Sequence, residues 1–287
     1  MRGRDRSGRT ARRRRCGAAP LCLTPHVQHH EDTLAAYVAA VSASPETVAV
    51  VATGSAARGT ERPDSDVDVY LVVTEPAFAR AEAAERLSYV DAEVATYDGG
   101  YVDVKVVTTD YLRRAAVHGD DPVRASFRGA RVVWTRVEEV HALVAAIPVL
   151  PEEVWEDRAA SFVAQMRLYG GYFLRQGEQL GETYLRHWAA VHLVGSAGRA
   201  LLARGRVLFQ GHKYLTTQLA ALPDLPDGYL ALAERVLHEP TAEHGRALMD
   251  AVEAHHAWAV GREQTLSRFV RENELAWLTR VPPPEFR

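Results

Sequence analysis

The chain has 287 residues, 47% of them hydrophobic and 25% charged, the balance of a globular protein of one large or two ordinary domains. No stretch approaches the roughly 20 apolar residues of a membrane helix, so no membrane-spanning role is expected. Only two cysteines occur, Cys16 and Cys22, which excludes a disulfide framework or a cysteine metal site and points to the cytoplasm.

Charge is unevenly placed. Residues 1–15 hold eight arginines against Asp5, a net of +7, so that −10 falls on the rest of a chain whose overall charge is −3. An arm of this kind could touch nucleic acid. A disordered leader over residues 1–28, or a start codon chosen too far upstream, is the simpler expectation. The following "CGAAPLCLTP" is short, carries two prolines and lacks a cleavage site, which argues against a secretory signal.

In chain order, "EDTLAAYVAAVSA" (31–43) has apolar residues at helical spacing and acids at its start, and predicts a helix. "TVAVVAT" (47–53) is a β-branched strand that runs into Gly54. "VDVYLVV" (67–73) is a second strand, and the Ala/Glu/Arg-rich residues 77–95 predict a helix with a less regular end. "YVDVKVV" (101–107) alternates as a third strand, "TDYLRRAAVHG" predicts a helix from a Thr/Asp cap to Gly119, and "ARVVWTR" (130–136) is a fourth strand. After Pro151, residues 152–280 predict successive amphipathic helices. Breaks are expected at Gly170-Gly171, Gly177, Gly205, Gly211 and "LPDLPDG" (222–228). The pattern is a small α/β domain followed by a helical one, with the boundary near 140–151.

The chemistry concentrates in "TGSAARGTERPDSDVDVYLVV" (53–73). Asp66 and Asp68 lie two apart at the mouth of a strand and share a face, while Val67 and Val69 point to the core. Asp103 holds the matching position in "VDVKV". If the two strands are adjacent, three carboxylates converge, an arrangement that suits hard cations with oxygen ligands, above all Mg²⁺. Two such ions about 3.5–4 Å apart can activate a hydroxyl and stabilise a leaving pyrophosphate. Asp64 reads as a turn residue that caps the loop with Ser65. Gly54 to Gly59 has the glycine spacing of a P-loop, but Thr60 and Glu61 follow where Lys-Ser/Thr is required, so that reading fails. What remains is a strand, a bare Gly54 and Ser55 at the start of a helical turn, where backbone N–H groups can hold phosphate oxygens.

These residues resemble the nucleotidyltransferase superfamily related to DNA polymerase β. The compact G-S-x-A-R-G spacing is similar to its minimal and aminoglycoside-modifying members. The likeness spans about residues 45–136, and its elements occur in order without departure from the family pattern. It implies an α+β N-terminal domain, a mixed sheet flanked by helices, over residues 29–148, and an all-α substrate-binding domain over 149–287. It also implies that Gly54 and Ser55 bind the triphosphate, that Asp66 and Asp68 bind two Mg²⁺ ions, and that Asp103 joins them and helps activate the acceptor. Arg58, inside the glycine turn, is a further candidate for phosphate. Lys213, in a Gly-His-Lys-Tyr turn, resembles a lysine that related proteins place near the nucleotide.

Lys213 and Lys105 are the only lysines among 34 basic residues, and a lysine kept against such a bias suits a point-charge contact with phosphate. The expected reaction moves AMP from ATP to a hydroxyl of a small molecule or protein. The acidic body favours a cationic acceptor, and the lack of aromatic-basic interleaving argues against a nucleic-acid template. The alternative is a non-catalytic nucleotide-sensing or antitoxin-like module of the same fold, against which the complete carboxylate set argues. Arg186 and His192 fit the spacing of HEPN ribonucleases, but among 12 histidines a chance match is easy. His255, His256 and Trp277 lack metal-ligand spacing and read as helix packing and surface.

Overall fold

The computed structural model describes residues 25–287. The arginine-rich arm, Cys16 and Cys22 lie outside the described residues. Helix α1 (Pro25–Ser42) leads into strand β1 (Thr47–Ala52), the one-turn helix α2 (Gly54–Arg58), β2 (Val67–Val73), α3 (Glu75–Ala83), β3 (Ser88–Asp91) and β4 (Val102–Thr108). Then come α4 (Thr109–His118), α5 (Asp121–Ser126), β5 (Arg131–Thr135) and α6 (Glu139–Ala146).

The sheet is mixed, in the order β3-β4-β2-β1-β5, with β2 and β4 parallel and every other pair antiparallel. Strict alternation along β2 and β4 divides their side chains between two layers. Val67, Val69, Leu71, Val102, Val104 and Val106 pack beneath α1 and α3. Tyr70, Val72 and Val107 pack with Leu112 of α4, Phe127 and Val140 of α6 on the opposite face.

The helix expected over 77–95 is shorter than its composition suggests. It ends at Ala83, Glu85 turns with φ 54°, and Ser88–Asp91 pairs with β4 as an edge strand. Val90 is 61% exposed, so this strand owes its conformation to the ladder of β4 rather than to burial.

From α7 (Glu152–Leu168) onward the described residues are helical or irregular. A π-helical stretch, Tyr169–Leu174, carries α7 without interruption into α8 (Arg175–Leu180). The breaks expected at Gly170-Gly171 and Gly177 are therefore absent, for reasons of packing. A β-carbon on Gly170 would meet Met249 Sδ at 2.6 Å, and one on Gly177 would meet the backbone nitrogen of Arg186 at 2.9 Å. These glycines serve close helix approach. The turn comes instead at Gly181, with φ 67°.

Helix α9 (Thr183–Arg204) ends at Gly205 as expected. It is followed by α10 (Leu215–Ala220), α11 (Tyr229–His238) beyond the 222–228 loop, α12 (Ala242–His255), α13 (Thr265–Phe269) and α14 (Ala276–Thr279). Helices α7 and α9 form the centre of this bundle through Phe162, Val163, Met166, Leu193, Ala197 and Leu201.

The junction between sheet and bundle is ionic as well as apolar. Asp121 of α5 is paired with both Arg158 of α7 and Arg199 of α9, and all three are largely buried. Burial lowers both guanidinium groups to about 10, which leaves them charged at neutral pH. The Arg199 guanidinium also lies 4.2 Å from the Phe162 ring centroid and 4.6 Å from that of Phe209.

Candidate active site

The site begins where β1 ends. Thr53 N–H donates to the carbonyl of Asp68 at 2.9 Å, which ties the last step of β1 to β2. Gly54 then turns the chain into α2 with φ 67°. A β-carbon there would lie 1.8 Å from Asp68 Oδ2, so glycine is required twice, for the backbone angle and for the carboxylate. Ser55 occupies the first turn of α2 and is half-buried. Arg58 is exposed on the same turn, and its stem passes Gly129, where an added β-carbon would stand 2.9 Å from Arg58 Cγ.

Parallel register sets Asp68 directly beside Asp103. With Asp66 just before β2, the three residues each offer a carboxylate oxygen within 4.8 Å of the others, and all are half-buried. The convergence expected from sequence is therefore present in the fold. Burial raises the Asp68 carboxyl above the ordinary carboxylate range, and Asp66 and Asp103 raise it further, while Lys105 and Arg58 pull it down. Anionic oxygens crowded at a strand end, with a glycine clearing the space in front of them, fit divalent cations that accept oxygen ligands. The same like-charge repulsion, uncompensated, would be a cost to the fold.

The loop that delivers Asp66 is clamped from outside. Ser65 Oγ accepts from Arg62 N–H, and the Tyr97 hydroxyl and His30 Nε2 both donate to the Ser65 carbonyl, the latter at 3.0 Å. His29 Nε2 donates to the Pro63 carbonyl at 3.1 Å. The charge of the Asp66 carboxylate raises the nearby Tyr101 phenol above its usual range. The capping expected of Asp64 falls to Ser65 alone. Asp64 instead makes an exposed 3.6 Å pair with Arg62.

Sequence reasoning singled out Lys105 for its residue type without placing it beside the carboxylates, and it missed Tyr101, Tyr97, His29 and His30 as neighbours of this site. For Lys105 a signal existed, because alternation in "VDVKVV" puts it on the face of Asp103. For the His29-His30-Tyr97 group none did, since its contacts join segments more than 30 residues apart.

Lys213 lies in a single 3₁₀ turn, His212–Tyr214, directly before α10. It is exposed, and its ammonium sits 5.4 Å from the centroid of the Tyr214 ring. Gln210, three residues earlier, shares a cavity of about 510 Å³ with Arg128 from the sheet region and Arg204 and Gln218 from the bundle. His192 hydrogen-bonds Glu285 at 2.9 Å and stacks on Tyr169, a packing role on α9. His255 pairs with Asp224 at 3.1 Å, His256 packs edge-on against Trp258, and Trp277 is 77% exposed. Among the described residues, no helix is long and apolar enough to cross a membrane.

No curated protein matches the chain. Among solved structures, a nucleotidyltransferase-like protein from Exiguobacterium sibiricum is similar, with 14% identity and a TM-score of 0.44 over 88% of this chain and 79% of that one. The family model of the nucleotidyltransferase domain matches residues 38–128, the span that holds the glycine turn and all three aspartates. The chain thus carries a nucleotidyltransferase domain across residues 38–128.

Proposed function

We propose that the chain is a divalent-metal-dependent nucleotidyltransferase that moves a nucleoside monophosphate, AMP from ATP in the first place, onto an acceptor hydroxyl. Residues 29–148 act as the catalytic unit and 149–287 as the helical unit that receives substrate. The observation that carries this reading is the convergence of Asp66, Asp68 and Asp103 within 4.8 Å behind a glycine that makes room for them.

Asp66 and Asp68 hold the metal, with Asp103 beside them. Two Mg²⁺ ions, when bound, neutralise charge on the phosphoryl group and on the leaving pyrophosphate. Backbone N–H groups of Gly54 and Ser55, with Arg58, orient the triphosphate. The acceptor oxygen attacks the α-phosphorus and forms a new P–O bond. The bond to the bridging oxygen breaks, and pyrophosphate leaves with that electron pair. Asp103 accepts the proton of the hydroxyl. Lys213 reaches the phosphates from the bundle. The −10 carried outside residues 1–15 suits a cationic acceptor, whether small molecule or protein side chain.

The test is a panel of hydroxyl acceptors incubated with ATP labelled at the α-phosphate and Mg²⁺. Label on an acceptor, with pyrophosphate released in equal amount, supports the reading. ATP binding without transfer to any of a broad panel favours a nucleotide-sensing module.

A further inference from the structure

Strand β4 lies inside the sheet, between β3 and β2, and its residues are buried or half-buried with a single exception. That exception is Lys105, which is exposed. An exposed cation on an interior strand marks the place where helices leave the sheet face open. The face is the one that carries the carboxylates, since Asp103 and Lys105 are two apart on β4 and their cross-strand partners Asp68 and Tyr70 are two apart on β2. Two residues of strand advance about 6.6 Å, a distance over which the flexible four-carbon stem of lysine can reach back.

The surroundings of Lys105 hold it there without consuming it. Its direct cross-strand neighbours are Tyr70 on one side and Ser88 on the other, neither of them an acid. The ammonium sits 5.6 Å from the Tyr70 ring centroid. That ring is itself fixed by a 3.1 Å hydrogen bond from its hydroxyl to Ser126 Oγ and by packing on Phe127 and Tyr111. The Lys105 charge pulls down the Asp68 carboxyl on the neighbouring strand. No salt bridge to Lys105 occurs among the described residues, whereas most arginines of the sheet region have an acid or carbonyl partner. Its donors therefore remain open to a ligand. Two divalent cations cannot neutralise three carboxylates and a triphosphate together, so the site has a use for further positive charge.

We infer that Lys105 is a substrate-binding residue, whose ammonium takes a non-bridging oxygen of the phosphoryl group presented at the Asp66, Asp68 and Asp103 cluster. The inference rests on the nucleotidyltransferase reading and adds a phosphate contact from β4 to those of the glycine turn. It also gives a physical reason why a lysine stands here in a chain that uses arginine almost everywhere else. A compact ammonium on a flexible stem offers phosphate a point charge with rotatable donors, which the planar guanidinium fork does not.

Lys105→Met and Lys105→Arg are titrated calorimetrically with a non-hydrolysable ATP analogue at saturating Mg²⁺, and separately with Mn²⁺ alone. Loss of a contact to a charged phosphate predicts that Lys105→Met weakens analogue binding about ten- to a hundredfold. Removal of a cation beside Asp68 predicts the opposite sign for Mn²⁺, which should bind several-fold more tightly. Lys105→Arg should fall between wild type and Lys105→Met for the analogue. Wild-type analogue affinity in Lys105→Met overturns the inference whatever Mn²⁺ does, because the lysine then only offsets carboxylate charge. If wild-type protein binds no analogue at all, the nucleotidyltransferase reading itself fails, and the inference with it.

Discussion

Asp68→Asn should make the metal-free protein more stable. Asp68 has like charges on Asp66 and Asp103 with oxygens within 4.8 Å. One such pair costs about 1 kcal/mol in water and about 3.5 kcal/mol at an effective dielectric constant of 20. Two pairs act on Asp68, and the attraction of Lys105 and Arg58 offsets part of them. The carboxyl is only half-buried, so solvent screens the remainder. A net penalty of about 1–2 kcal/mol follows, worth roughly 2–6 °C in melting temperature for a chain of this size.

The sign with pH is fixed by the direction of the shift. A carboxyl raised in the native state binds its proton more tightly there than in the unfolded chain. Its destabilising effect is therefore full above the raised value and vanishes as pH falls below about 4, the ordinary carboxylate range. Thermal melts in chelator should place Asp68→Asn above wild type at pH 8, with the gap closing in acid. In saturating Mg²⁺ the order should reverse, because only wild type gains the stabilisation of a bound ion. A variant that melts below wild type in chelator at pH 8 would refute the repulsion argument, and a wild type indifferent to Mg²⁺ would refute the metal site.

Gly54→Ala should lose Mn²⁺ binding, because its β-carbon would fall 1.8 Å from Asp68 Oδ2, and should lose about 1–2 kcal/mol of stability from the left-handed backbone alone. Isothermal titration and urea melts measure the two effects separately. Asp121→Ala leaves Arg158 and Arg199 buried without their shared carboxylate and should cost about 3–5 kcal/mol by urea denaturation. A loss below about 1 kcal/mol would place that pairing among ordinary surface ion pairs. Lys213→Ala should weaken ATP binding by roughly 1.5–3 kcal/mol with no change in melting temperature, and Lys213→Arg should restore only part of it. Unchanged affinity in Lys213→Ala would make this lysine a surface residue.

What was legible in the sequence was local. Period-two alternation marked β2 and β4 and put Asp68 and Asp103 on one face, and bare Gly54 marked a turn that must stay open. Their adjacency is a property of the sheet order, in which β2 pairs with β4 in parallel. No local pattern states that order. Strand β3 was hidden for a related reason. Its residues alternate between exposed and half-buried, so only the ladder with β4 distinguishes them from the end of a helix. Glycine was misleading in the bundle, where Gly170 and Gly177 do not break helices but let neighbours approach. That need comes from Met249 and Arg186, distant or unpatterned in sequence. The clamp on the Asp66 loop by His29, His30 and Tyr97 was illegible on the same ground.

The proposed function requires that Asp66 and Asp68 together hold metal for phosphoryl chemistry. Its most direct test is pyrophosphate release from ATP by wild type, Asp66→Asn and Asp68→Asn, in Mg²⁺ and in chelator, with an acceptor identified by the label-transfer panel. Wild type should release pyrophosphate in Mg²⁺ alone, and each folded variant should lose at least about a hundredfold, the scale of removing one electrostatic stabiliser of the transition state. Release by either variant at the wild-type rate, or by wild type at full rate in chelator, would contradict it.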